Sequence, residues 1–164
     1  MRYKAVIEYD GTNYSGYQKQ VKDVTIQGTI EKALRLMFQF DIDTFAASRT
    51  DKGVHAKYQV IHFDLDYDIP FDRFLESIHK RLPKDIRFKS IKKVKDDFHA
   101  RYDSKSKVYE YYISKKPVSA FNAYRHEYFK HFNINLVKDK LDILVGTHDF
   151  SAFSPNKEEK NPVK

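Results

Sequence analysis

The chain has 164 residues, of which 41% are hydrophobic and 32% charged, so it is long enough for one ordinary domain or two small ones with a real core. Its 13 Phe and 12 Tyr argue against wholesale disorder, and the absence of Cys excludes disulfides, thiolate catalysis and cysteine-bound zinc. The net charge of +7 favours a polyanionic partner, and the aromatic rings offer stacking surfaces for unpaired bases.

The first segment of the chain alternates apolar and polar residues, which predicts a strand over residues 3–9 and a turn over residues 10–13. Charges at Arg2, Lys4 and Glu8 leave no signal-peptide core, and no apolar run approaches the roughly 20 residues of a membrane helix. We therefore expect a cytoplasmic protein without a membrane partner.

The next elements predict a ferredoxin-like α/β (α+β) unit over residues 1–97. Thr25 is the expected N-cap of a helix with one apolar stripe, and a short strand over residues 44–47 leads into a turn over residues 48–53. Residues 58–65 alternate as a strand, Pro70 opens a second helix, and residues 86–94 form a weaker strand. The order is βαββαβ.

Residues 98–153 are expected to begin a second α/β unit of the same kind. A strand is predicted over residues 108–113, and Val137, Leu141, Leu144 and Val145 form a short helical stripe. One strand and one helix would leave the sheet open with apolar edges exposed, so this unit is expected to be incomplete. The polar residues 154–164 predict a flexible tail.

Two segments resemble a P-loop and a zinc-protease motif, but each lacks the residues or the spacing that the motif requires. Gly11 and Gly16 have P-loop spacing, but Tyr17-Gln18 stands where the phosphate-binding Lys and the magnesium-binding hydroxyl are required, which excludes nucleotide hydrolysis by a P-loop. His126 and His131 flank a glutamate as in a zinc protease, but they are five residues apart and not four, so no metal is expected. A Ser-His-Asp set stays open, without a nucleophile-elbow pattern to support it.

The segment from Arg49 to His55, Arg-Thr-Asp-Lys-Gly-Val-His, allows two interpretations. It is typical of a turn that ends a strand, with Asp51 bonding nearby backbone and Gly53 at positive φ. It also fits a carboxylate that neighbouring cations keep ionised and that acts as a nucleophile or general base. The residues alone favour the turn.

Four blocks of the chain, taken together, resemble the tRNA pseudouridine synthase A family. They are residues 8–18 (EYDGTNYSGYQ), 48–56 (SRTDKGVHA), 97–101 (DFHAR) and 146–150 (GTHDF). The resemblance implies the isomerisation of uridines in the anticodon arm of tRNA, at positions 38, 39 and 40, by a homodimer that uses no cofactor and no metal.

The resemblance also assigns roles to single residues. Asp51 falls on the catalytic aspartate, which attacks C1′ or removes the 2′ proton, and Arg49 on the arginine that fills the space left by the flipped base. Tyr109 falls on the tyrosine that stacks on the uracil, although the alternation it shares with Tyr111 and Ile113 by itself favours a core position. His99 and Arg101 shape the cleft or contact phosphate, with a purely structural role as the alternative.

Two departures from the family bear on activity. Ser48 replaces the usual glycine before Arg49, and family members continue for about another 100 residues that carry a basic partner for the aspartate and an aliphatic residue of the uracil pocket. The alternative to a pseudouridine synthase is therefore a non-catalytic RNA-binding fragment of one, and a protein-interaction domain is a third possibility.

Overall fold

The structure, a computed structural model, describes residues 1–153, and the tail expected at residues 154–164 lies outside them. The chain divides into two compact units, Met1–Val108 and Tyr109–Lys164. Residues 98–108 group with the first unit, beyond the expected boundary at residue 97. The reason is bonding to the sheet, because the Arg2 guanidinium donates to the Phe98 carbonyl and the Ala100 N–H donates to His62.

The first unit has the βαββαβ order that the sequence predicts. Its elements are β1 (Arg2–Tyr9), α1 (Ile26–Phe38), β2 (Phe45–Ala46), β3 (Ala56–Asp64), α2 (Phe71–His79) and β4 (Ile86–Val94). The strands form an antiparallel sheet in the order β2-β3-β1-β4, which is the ferredoxin-like arrangement. The mixed α+β fold is therefore confirmed.

The core lies between one face of this sheet and the two helices. Alternate residues of β1 point into it, and α1 contributes the predicted apolar stripe. Thr25 caps α1 as expected, because its hydroxyl oxygen accepts a hydrogen bond from the Gly28 N–H at 3.2 Å. The fully buried large side chains include Tyr3, Ile7, Ile26, Ile30, Leu34, Ile61, Phe63, Phe74, Ile78 and Ile86.

The other face of the sheet is partly covered by the segment that follows β4. Phe98 lies beneath the Lys4 ammonium, 5.4 Å from it, and the His99 ring lies 4.7 Å from the His62 ring of β3. This segment therefore runs over the sheet from β1 to β3 and brings the third sequence block onto the first unit.

Between residues 109 and 153, the second unit contains only short regular elements. It has β5 (Ile113–Ser114) and β6 (Glu127–Tyr128), paired in parallel, followed by α3 (Ile134–Leu141). The strand predicted over residues 108–113 is reduced to its last residue, with Tyr111 86% exposed. No hydrophobic side chain between residues 109 and 153 is buried, so the alternating pattern finds no packed sheet to join. Across residues 1–153, no helix is long and apolar enough to span a membrane.

Candidate active site

Asp51 lies in a tight turn on the connection between β2 and β3. The Val54 N–H donates to the Asp51 carbonyl oxygen at 3.2 Å, and Gly53 has φ of +79° at the third position of the turn. A type II turn requires positive φ there, which explains the glycine and confirms that part of the turn interpretation. The Asp51 side chain itself is exposed to solvent.

The turn that follows β1 holds the residue directly before Asp51. The Tyr17 N–H donates to the Thr50 carbonyl oxygen at 2.9 Å, and the hydroxyls of Tyr9 and Thr50 lie 2.9 Å apart. The Gly53 N–H reaches the Tyr14 carbonyl oxygen at 3.4 Å. The first and second sequence blocks are therefore one structural unit, joined largely through main-chain atoms.

Two glycines of the first block allow this close approach. A Cβ atom on Gly11 would overlap the Val54 carbonyl oxygen and lie 2.7 Å from the Val54 carbonyl carbon. A Cβ atom on Gly16 would lie 2.9 Å from the Thr50 carbonyl oxygen, and the φ of Gly16 is +88°. Backbone packs against backbone here, so a side chain at either position would push the Asp51 turn away.

The loop between α2 and β4 forms hydrogen bonds with the turn that follows β1, at the same end of the sheet. The Tyr14 hydroxyl donates to Asp85 Oδ1 at 2.7 Å, and the Asp10 N–H donates to the Asp85 carbonyl oxygen at 2.9 Å. Burial raises the pKa of Tyr14, so its hydroxyl stays protonated as a donor. Asp85 therefore fixes both ends of the segment from which Gly11 faces the Asp51 turn.

The charged groups of this turn point to solvent without partners. Within residues 1–153, the structure gives neither the Asp51 carboxylate nor the Arg49 guanidinium a hydrogen bond or an ion pair. The expected pairing of Asp51 with adjacent cations is therefore not formed, and the Arg49 guanidinium makes no ion pair with a neighbouring acid in this part of the chain. Both groups are available to a bound molecule.

The third sequence block forms a separate turn stabilised by His99. The His99 N–H donates to Asp103 Oδ2 at 2.7 Å, and His99 Nδ1 accepts the Arg101 N–H at 3.2 Å. The His99 ring packs against the Tyr102 ring with 4.2 Å between centroids. His99 thus shapes the backbone, while the Arg101 side chain is exposed.

This turn and the Asp51 turn are anchored at different places along β3. The Asp51 turn is fixed near Tyr9, which pairs with Ala56, whereas the Ala100 N–H bonds to His62. Six residues of strand separate Ala56 from His62, a distance of about 20 Å. The structure therefore brings Arg49 and Asp51 together in one turn but anchors His99 and Arg101 elsewhere on the sheet. Tyr109 begins the second unit, where its side chain is 70% exposed.

Sequence reasoning missed several buried polar residues that support these turns. His62 is 2% exposed, and burial together with the nearby Arg2 charge lowers its pKa to about 4. Glu31 is 7% exposed and accepts hydrogen bonds from Thr44. The available signal was the spacing of Gln27 and Glu31, two polar residues one helical turn apart beside the apolar stripe of α1. Residues 1–153 contain no group of three or more side chains that could hold a metal ion.

Comparisons of the sequence with known proteins identify the family of the chain. A sequence model of a family described as tRNA pseudouridine synthase matches residues 5–103, which is most of the first unit.

Three relatives carry the name tRNA pseudouridine synthase A. The relative from Aster yellows witches'-broom phytoplasma is 43% identical over 159 residues, covering 97% of this chain and 65% of the relative. The Brevibacillus brevis relative is 42% identical over 156 residues, covering 93% and 63%. The Clostridium botulinum (strain Eklund 17B) relative is 41% identical over 164 residues, covering 98% and 67%. The chain thus spans about two thirds of the length of these relatives.

Proposed function

This chain belongs to the tRNA pseudouridine synthase family, and we propose that it isomerises uridine to pseudouridine in tRNA with Asp51 as the catalytic carboxylate. The observation that carries the proposal is the state of Asp51: an exposed carboxylate without partners among residues 1–153, on a turn that residues 9–17 hold in place. A carboxylate that served only to close the turn would bond to it.

The proposed reaction needs no co-reactant, because reactant and product have the same atoms. The bond between C1′ and N1 breaks, the uracil rotates, and a bond forms between C1′ and C5, while a proton leaves C5 and one is gained at N1. Asp51 acts in one of two ways. It attacks C1′ and is later displaced by C5, or it removes the 2′ proton to give a glycal and returns that proton when the new bond forms.

The base must leave its stack before Asp51 can reach C1′, which costs a few kcal/mol. We assign Arg49 to the vacated space, since its guanidinium is exposed, lies two residues from Asp51 and has no ion pair within residues 1–153. We assign Tyr109 to stacking on the uracil, which its 70% exposure permits.

The third block supplies further contacts to tRNA in this proposal. Arg101 is an exposed cation suited to a phosphate, and His99 holds the backbone from which Arg101 projects. The target bases are the uridines at positions 38, 39 and 40 of the anticodon arm. Action as a homodimer completes the proposal and depends on the family resemblance alone, whereas a cytoplasmic location is proposed from the sequence expectation given above.

The alternative is an RNA-binding fragment without activity. It is favoured by one observation, that the chain spans 65% of the length of the phytoplasma relative. The resemblance places the basic partner of the catalytic aspartate in the remaining part. The exposed Asp51 carboxylate, without a cation partner in residues 1–153, is consistent with a partner contributed from elsewhere.

The deciding experiment measures pseudouridine formation in an unmodified tRNA with uridines on the 3′ side of its anticodon arm. The parent chain is compared with Asp51→Asn and with the control Asp66→Asn, which changes another exposed aspartate of the first unit. We expect product from the parent and the control and none from Asp51→Asn, with RNA affinity similar in all three. Binding without product from the parent chain would identify the RNA-binding fragment. Product from Asp51→Asn would refute the role of Asp51.

A further inference from the structure

Glu31 is the single acidic side chain that the fold buries among residues 1–153, and it touches neither Asp51 nor solvent-exposed parts of the site. A buried carboxylate is costly unless several donors stabilise it. Its place on α1, beside the apolar stripe of the helix, therefore calls for an explanation beyond packing.

Four donors meet the Glu31 carboxylate. Oε1 accepts from the Thr44 N–H at 3.0 Å, from the Thr44 hydroxyl at 3.1 Å and from Gln27 Nε2 at 3.0 Å. Oε2 accepts from Lys19 Nζ at 3.0 Å. Gln27 strengthens both connections, because its amide donates to the Thr44 carbonyl oxygen at 2.9 Å and accepts the Lys19 N–H at 3.0 Å.

The two segments that Glu31 joins both lead to the Asp51 turn. Lys19 follows by two residues Tyr17, whose N–H holds the Thr50 carbonyl oxygen at 2.9 Å. Thr44 directly precedes β2, and from there the chain runs through Ser48 to Arg49 and the Asp51 turn. Along the Lys19 route, two hydrogen bonds and short covalent stretches connect Glu31 to Asp51. Along the Thr44 route, the hydrogen bonds to Thr44 are followed only by the covalent chain to Asp51.

We propose that Glu31 is a positioning residue for the isomerisation. By binding Lys19 and Thr44 at once, it fixes the position and orientation of the Asp51 turn. The part of this inference that concerns catalysis rests on the proposed function, and the part that concerns the turn does not. A network of this kind acts as one unit, so losing the shared acceptor disturbs both routes together.

The main test replaces Glu31 by glutamine. The amide keeps one acceptor oxygen but turns an NH2 group toward either Lys19 or Thr44, so that donors face donors. We expect hydrogen exchange at the Tyr17 amide, measured by NMR, to accelerate at least about tenfold more than exchange at amides of β1 and β4. If the parent chain is active, kcat falls about 10- to 100-fold while KM stays within about threefold, because tRNA contacts are unchanged.

Two further variants keep the test decisive. Lys19→Ala removes only the exposed ion pair of Glu31. It should accelerate hydrogen exchange at the Tyr17 amide, by less than the factor expected for Glu31→Gln. This measurement remains possible if Glu31→Gln does not fold. Glu76→Gln removes an exposed carboxylate of α2 that pairs with Lys80, and it should change neither exchange nor kcat. Equal acceleration at Tyr17 and in β1 and β4, or a rise in KM with kcat unchanged, would overturn the inference. Failure of the parent chain to form pseudouridine contradicts the proposed function, and the exchange pattern still decides the role of Glu31 at the turn.

Discussion

Replacing Gly11 by alanine should damage the protein although Gly11 has no chemical role. The new Cβ atom would overlap the Val54 carbonyl oxygen and approach the carbonyl carbon to 2.7 Å, and both are main-chain atoms that no rotamer change can move. Overpacking of this kind typically costs about 1–3 kcal/mol. For a unit of about 100 residues, that loss lowers the melting temperature by roughly 5–20 °C. Thermal unfolding followed by circular dichroism measures the shift.

Gly53 supplies the matched control because it presents the opposite case in the same turn. A Cβ atom there meets nothing within 4 Å, and the constraint is the φ of +79°. We expect Gly53→Ala to cost about 1 kcal/mol, and Gly53→Asn less, since asparagine tolerates this conformation. At Gly11 asparagine should instead be at least as harmful as alanine. A Gly11→Ala protein that melts within about 2 °C of the parent, with unchanged exchange at Val54, would refute the packing argument.

Two further predictions concern acid stability and the second unit. Because the pKa of His62 is lowered to about 4 in the fold, the unfolded chain binds the extra proton first as pH falls, and stability should decrease from about pH 6.5 to pH 4. Urea unfolding of His62→Asn, whose oxygen can still accept the Ala100 N–H, should show a flatter pH dependence, and identical profiles would contradict the assignment. Limited proteolysis should cleave first between residues 109 and 153, where no hydrophobic side chain is buried, leaving a fragment close to Met1–Val108. Initial cleavage inside β1 or β4 would contradict this.

The fold of the first unit was predictable because local patterns determine its elements. The period of the apolar residues distinguishes α1 from β3, and each pattern also states which face meets the core. The same reasoning failed at residues 108–113. Alternation indicates that one face of a segment is apolar enough to be buried. A strand forms only where a neighbouring strand supplies hydrogen bonds, and here β5 is only two residues long.

The candidate site was predictable only in part. Composition and spacing by themselves favour a turn at Asp51, and only the family resemblance assigns it a chemical role. The contact of Gly11 with Val54 joins positions 43 residues apart, so no local pattern contains it. Glu31 was missed for a similar reason, since an isolated glutamate on a helix usually faces water, and its partners Lys19 and Thr44 lie outside the helix.

Around the Asp51 turn, the residues that hold the backbone in place are different from the residues whose side chains are available for chemistry. Arg49, Asp51 and Lys52 project from a backbone that Gly11, Gly16 and Tyr17 hold by its peptide groups and not by its side chains. The three projecting residues can therefore be exchanged for others with little cost to folding, whereas the glycines cannot. A designer who wished to place a different catalytic group at the end of this sheet would keep residues 11 and 16 and vary residues 49, 51 and 52.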